Sequence, residues 1–222
     1  MPLRAIVFDF DGLMVDTESS IYDAYCDIFA EHGAELPLST WEAIIGSTGH
    51  RDRVFVDLEA QIGRPVDRDT LRERARALHH DVSSRMPAVD GVTQLIANAL
   101  DAGLKLGVAS SSTLNWVGGH LDRLGLAHHF GAVCTRDDVE TVKPDPALYR
   151  LAVQLLGVEP HEAVALEDSP NGIASAKAAG LRTLGLTTTS GSEALAAADR
   201  VVETLAGVTL EDLRTWFGSN VE

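Results

Sequence analysis

Ala5-Ile6-Val7-Phe8-Asp9-Phe10-Asp11-Gly12-Leu13-Met14-Val15-Asp16-Thr17-Glu18 is the stretch on which the fold turns. Its apolar opening reads as a buried strand, and the strand delivers two carboxylates two positions apart at its carboxyl end. A small backbone adjustment there lets Asp9 and Asp11 address one site. Gly12 follows at once and allows the chain to leave at an angle that a residue bearing a Cβ resists. Paired acids in this setting suit magnesium-dependent phosphoryl transfer. Asp-x-Asp-Gly also occurs in turns and calcium loops, but an EF-hand loop needs further oxygen ligands and a closing glutamate at fixed offsets. Here Leu13, Met14 and Val15 come next.

Outward from this strand, apolar runs recur at 104–109, 132–135, 163–166, 183–186 and 200–202. Helical patterns lie at 92–102, 113–124, 147–156, 172–179 and 193–197. Strands alternating with helices imply parallel pairing through right-handed crossovers, hence a doubly wound, three-layer α/β sandwich of Rossmann-like type. Such sheets bind ligands at the carboxyl ends of their strands. From Glu18 to Arg85 the rhythm breaks: no buried strand is evident, only helical periodicity punctuated by Gly33, Pro37, Gly63 and Pro65. An α-helical domain inserted after the first strand is expected at 17–87, with the core formed by 1–16 and 88–222 and with Pro87 to Gly91 as the return hinge.

Later strand ends carry chemistry of their own. The second ends in Ser110-Ser111-Ser112, where a hydroxyl and backbone amides can hold a phosphoryl oxygen and Ser112 can cap the following helix. Three serines before a helix are equally read as a cap alone. Val142-Lys143-Pro144-Asp145-Pro146 holds a lysine on a constrained loop, with Asp145 as N-cap and Pro146 at the first helical position; a lone lysine of this kind is also an ordinary surface charge. The fourth site, Ala163 to Gly172, ends an apolar strand in Glu167-Asp168 and begins a helix with Ser169-Pro170. Two carboxylates with no basic neighbour in sequence are costly to bury without a partner, and a metal ion would supply one.

These four sites, in this order, resemble the motifs of the haloacid dehalogenase superfamily, in its phosphatase and phosphomutase branch with a helical cap. Dehalogenases of that superfamily lack the second aspartate, so Asp11 points to phosphate chemistry. The resemblance implies Asp9 as nucleophile, Asp11 as acid and base, Ser110 and Lys143 as phosphoryl holders, and Mg²⁺ bound by Asp9, Asp11 through its backbone carbonyl, Asp168 and Glu167, the last directly or through water. It implies substrate contacts from Ser111 and Asn171, and from Gly46 and Arg51 in a specificity loop of the cap. The family often has glycine before the motif lysine, and here Val142 stands instead.

The function implied is hydrolysis of a small phosphorylated metabolite, such as a sugar phosphate or a phosphoglycolate-like acid, through an aspartyl-phosphate. β-Phosphoglucomutase is the nearest alternative, but the position of its discriminating histidine corresponds here to Ile21. Phosphonatase needs a cap lysine, and Glu18 to Arg85 contains none. A noncatalytic receiver-like phospho-acceptor is about half as long and lacks an inserted domain. Of the Arg72, Arg74 and Arg76 series, successive even positions spread around a helix and do not share a face. The pairs His79-His80 and His128-His129 read as solvated, and Trp41, Trp116 and Trp216 as core or interface residues.

Composition narrows the partners. A formal net charge of -15 over 222 residues disfavours nucleic acid and anionic membrane surfaces as partners, and any phosphate pocket then needs local positive charge or a metal. No stretch approaches the ~20 apolar residues that span a bilayer, and no leader-like N-terminal segment is apparent. A cytoplasmic protein, monomer or weak homodimer, is expected. Cys26 and Cys134 show no metal-ligand spacing and read as buried free thiols.

Overall fold

The computed structural model describes residues 2–42 and 52–217. Contacts divide the chain into two compact units, Met1–Asp16 with Pro87–Glu222, and Thr17–Met86. The larger unit is built on a six-stranded, wholly parallel sheet: β1 (Ala5–Phe8), β2 (Lys105–Ala109), β3 (Ala132–Cys134), β4 (Ala163–Glu167), β5 (Arg182–Leu186) and β6 (Arg200–Val202). Spatial order is β3-β2-β1-β4-β5-β6, so β1 is central and the chain winds outward from it in both directions. This is the doubly wound α/β architecture expected. β1 and β4 are buried at every residue, as strands covered on both faces must be.

Helices of the smaller unit come first in the chain: α1 (Thr17–Glu31), α2 (Leu38–Glu42), α3 (Asp52–Ile62) and α4 (Arg68–Ser83). Those of the sheet unit follow: α5 (Val92–Asp101), α6 (Leu114–Arg123), α7 (Ala147–Leu156), α8 (Pro170–Ala178) and α9 (Leu210–Phe217). Alternate β1 residues Ala5 and Val7 join an apolar cluster with Leu148, Tyr149, Ala152 and Val153 of α7 and Ala176 of α8. Helix α5 packs on β2, and α9 on α5. The smaller unit has its own core, in which Ile21, Tyr25, Ile28 and Phe29 of α1 meet Trp41, Phe55, Leu58 and Leu71; no strand occurs among its described residues. No helix among the described residues is long and apolar enough to cross a membrane.

Several local expectations change. The alanine-rich 193–197 segment forms turns rather than a helix. Five residues are too few to repay helix nucleation without a packed face, and Leu195 and Ala198 instead settle against the bare backbone of Gly185. Helix α9, not anticipated, opens with a reciprocal cap in which Thr209 and Asp212 each accept the other's backbone N–H. The N-cap of α6 is Thr113, not Ser112, and that of α7 is Pro146, with Asp145 accepting from Ala147 N at 2.9 Å. His79 is half-buried, its Nδ1 paired with Ser20 Oγ at 2.8 Å. Arg74 pairs with Glu31, and Arg72 with Asp69. Cys134 is buried, but Cys26 only partly so.

Candidate active site

The register of the sheet brings three strand ends level. Phe8 lies opposite Val108 of β2 and Leu166 of β4, so the residues that follow each of them emerge side by side. Asp9 continues β1 far enough to donate its N–H to Leu166 O at 2.9 Å. Ser110 follows β2, while Glu167 closes β4 and Asp168 follows it. Lys143 reaches in from the loop between β3 and α7, next to a cis peptide to Pro144.

Lys143 bridges two of these carboxylates, with Nζ 2.5 Å from Asp9 Oδ1 and 2.6 Å from Glu167 Oε1. Its side chain is 6% exposed, and that of Glu167 is wholly covered, so solvent does little to screen the pair. Burial pushes the Asp9 carboxyl up to about 7 against the pull of Lys143, and the charge of Glu167 adds to the rise. For Lys143 burial acts downward, but attraction to Asp9 and Glu167 outweighs it and holds the ammonium above the usual lysine range.

Both carboxylate oxygens of Glu167 are held. Oε1 accepts from Lys143 and from Tyr149 Oη at 2.6 Å, and Oε2 accepts from Asp168 N, Ser169 N and Ser169 Oγ at 3.2, 3.4 and 3.1 Å. Ser169 Oγ in turn accepts from Gly172 N as the N-cap of α8. A Cβ on Gly172 would stand 1.9 Å from Glu167 Cδ and Oε2. With its oxygens so engaged, Glu167 is an anchor for Lys143.

Asp9, Glu167 and Asp168 offer buried oxygens that all lie within 4.8 Å of one another. Lys143 is the ammonium paired with Asp9 and Glu167, and a divalent cation would further offset the charge of this carboxylate cluster. Gly12 supports the arrangement. At φ +75 its missing Cβ would fall 1.9 Å from Asp168 Oδ2 and 2.3 Å from Thr189 Oγ1, so only glycine leaves the Asp168 carboxylate where it stands. The donor set of Asp9, Glu167 and Asp168 fits a hard cation.

Asp11 stands apart from that cluster. Its Oδ1 accepts from the Trp116 indole Nε1 at 2.8 Å, and its Oδ2 from Ser112 Oγ at 2.5 Å and Ser110 Oγ at 3.4 Å. The hydroxyl of Ser110, fully buried, also accepts from Ser112 N. Ser111 is half-buried beside it, and Asn171 half-buried in the first turn of α8. Gly46 and Arg51 lie outside the described residues. Sequence reading missed Trp116, Ser112 as an Asp11 partner, and Tyr149. The signal for Trp116 was its place in the first turn of a helix that starts at a strand's carboxyl end.

Residues 6–186 match the model of the family described as haloacid dehalogenase-like hydrolase. The chain is 46% identical over 180 residues, 81% of each sequence, to "Putative phosphatase YhcW" of Bacillus subtilis (strain 168). It is 32% identical over 205 residues to the validoxylamine A 7'-phosphate phosphatase of Streptomyces hygroscopicus subsp. limoneus, covering 92% of this chain and 95% of that one. A crystal structure of a HAD family hydrolase from Deinococcus radiodurans R1, with bound phosphate and sodium, superposes with a TM-score of 0.83 at 27% identity, covering 97% of this chain and 96% of that one.

Proposed function

We propose, on the premise that this chain belongs to the haloacid dehalogenase-like hydrolases, that it is a magnesium-dependent phosphatase of a small phosphorylated metabolite, a sugar phosphate or a phosphoglycolate-like acid. The observation that carries this reading is the Lys143 bridge between Asp9 and Glu167 beside Asp168, with Asp11 held separately within the same unit.

In the reaction so assigned, an oxygen of Asp9 attacks phosphorus in line and forms an aspartyl-phosphate. The bond from phosphorus to the leaving oxygen breaks, and that oxygen takes the proton of Asp11. Asp11, now a carboxylate, accepts a proton from the water that attacks the aspartyl-phosphate, and inorganic phosphate departs as Asp9 is regenerated. Lys143 offsets charge on Asp9 and on a phosphoryl oxygen, and Ser110 with the Ser111 amide holds the transferring group. Asp9 and Asp168, the Asp11 backbone carbonyl, and Glu167 directly or through water would hold Mg²⁺, which when bound would neutralise charge on the phosphoryl oxygens.

Residues 1–16 and 88–222 carry this chemistry, and 17–87 selects the substrate. The mutase alternative gains nothing from Ile21, which is 5% exposed in the apolar core of the helical unit and offers no imidazole. Asp9→Asn is expected to abolish magnesium-dependent phosphate release across a panel of phosphorylated metabolites while leaving the unfolding midpoint close to wild type. Near-normal turnover by that variant would show that Asp9 is not the nucleophile. Isomerisation of β-glucose phosphate without release of phosphate would move the mutase to first place.

A further inference from the structure

We propose that Trp116 is a positioning residue for Asp11, an assignment that rests on the phosphatase reading above: its indole fixes Oδ1 as the accepting oxygen and directs the transferable proton to Oδ2. The geometry is direct, with Trp116 Nε1 donating to Oδ1 at 2.8 Å while Ser112 Oγ lies 2.5 Å from Oδ2. The two partners differ in kind. An indole N–H only donates, whereas a hydroxyl donates or accepts by rotating. A proton on Oδ1 would weaken that oxygen as an acceptor and oppose the indole N–H. A proton on Oδ2 leaves the indole bond to Oδ1 intact, and the Ser112 and Ser110 hydroxyls near Oδ2 can turn to suit it. Asp11 therefore has one oxygen that stays an acceptor and one that exchanges protons, and Trp116 makes the distinction.

The indole is well placed to hold that asymmetry. Trp116 sits in the first turn of α6, its backbone N–H capped by Thr113 Oγ1. Its ring lies edge-on against His120, one turn along the helix, with centroids 4.5 Å apart. His120 is buried, and it is braced by Arg123 Nη2 at 3.1 Å from Nδ1 and by the Phe10 ring at 5.7 Å. Phe10 stands between the two aspartates in the chain, so its contact with His120 ties the tryptophan to the segment that carries Asp11. Ring packing supplies stiffness and the N–H supplies direction, which makes the two separable by mutation.

Loss of the N–H should harm the step in which the leaving group needs a proton more than one in which it does not. The probes are glycerol phosphate, whose alkoxide must be protonated, and p-nitrophenyl phosphate, whose leaving group departs as a stable anion. Comparing kcat/KM confines the reading to steps up to phosphoryl transfer. Trp116→Phe is expected to lower the glycerol-to-nitrophenyl ratio of kcat/KM by about tenfold or more, within the 10²–10⁴-fold that a general acid contributes. Asp11→Ala sets the floor to which that ratio can fall. A tryptophan analogue with sulfur in place of the indole N–H keeps the ring and should give the same change, which removes repacking as an explanation.

The contact itself is read by NMR. Of the three indole N–H signals, the one missing in Trp116→Phe is expected to move in Asp11→Ala. Equal losses on both esters, or an indole signal indifferent to Asp11→Ala, would overturn the role of Trp116. A wild-type protein inert toward both esters would instead overturn the phosphatase reading, and the catalytic role with it.

Discussion

Gly172 shows how finely single residues set this site, because the space a Cβ would occupy is already taken by the Glu167 carboxyl group, at 1.9 to 2.0 Å. Glu167 has little freedom to yield, since Lys143, Tyr149 and the start of α8 all hold it. Gly172→Ala is therefore expected to destabilise the protein by about 1–3 kcal/mol, the usual cost of overpacking. It should also lower turnover by loosening Lys143, both effects being measurable by urea denaturation and phosphate release on one preparation. The acids were visible in the sequence because they stand at the ends of apolar runs with no local partner to explain them, and the lysine because two prolines hold it on a short loop before a helix. Tyr149 and Trp116 were not. A residue within a helical pattern shows its period, but which strand end it meets depends on how the helix is turned against the sheet, and that is set by distant residues.

At the scale of elements, Asp199 binds the edge of the sheet together. Its carboxylate accepts from Thr183 N at 2.7 Å, from Thr183 Oγ1 at 3.1 Å and from Lys177 of α8 at 3.1 Å, and its own N–H donates to Thr183 Oγ1. Burial works to raise the Asp199 carboxyl, but these hydrogen bonds win and hold it below its usual value. A depressed folded-state value means stabilisation that is present above the unfolded carboxylate range and lost as pH falls through the folded value. Asp199→Asn is thus expected to cost about 1–2 kcal/mol at neutral pH. The gap from wild type should narrow on acidification below about pH 4, as followed by denaturation midpoints across pH. The strands of the sheet were legible because parallel, doubly covered strands read as unbroken apolar runs. The turns at 192–197 were not, because alanine content favours helix while the deciding contact, a glycine on β5, lies outside the segment.

For the molecule as a whole, a net charge of -15 opposes the approach of any phosphate ester until it nears Lys143. Raising ionic strength from about 0.01 to about 0.1 M shortens the screening length from about 30 to about 10 Å. kcat/KM for a dianionic ester is expected to rise by about twofold or more over that range, measured at constant pH and saturating magnesium. A steady fall would mean that local positive charge governs the encounter instead. The alternation of strands and helices, and the long helical interruption, were enough to anticipate the architecture. The central place of β1 was not legible in the sequence, and it bears on how the protein is made. β1 is flanked by β2 and β4, whose residues lie at 105–109 and 163–167. A ribosome adding about 5–20 residues per second releases the Asp9 segment about 8 to 30 seconds before it supplies β4. Asp9 is thus synthesised well before the strand that completes its surroundings, and its carboxylate is expected to stay inert until translation has passed Asp168.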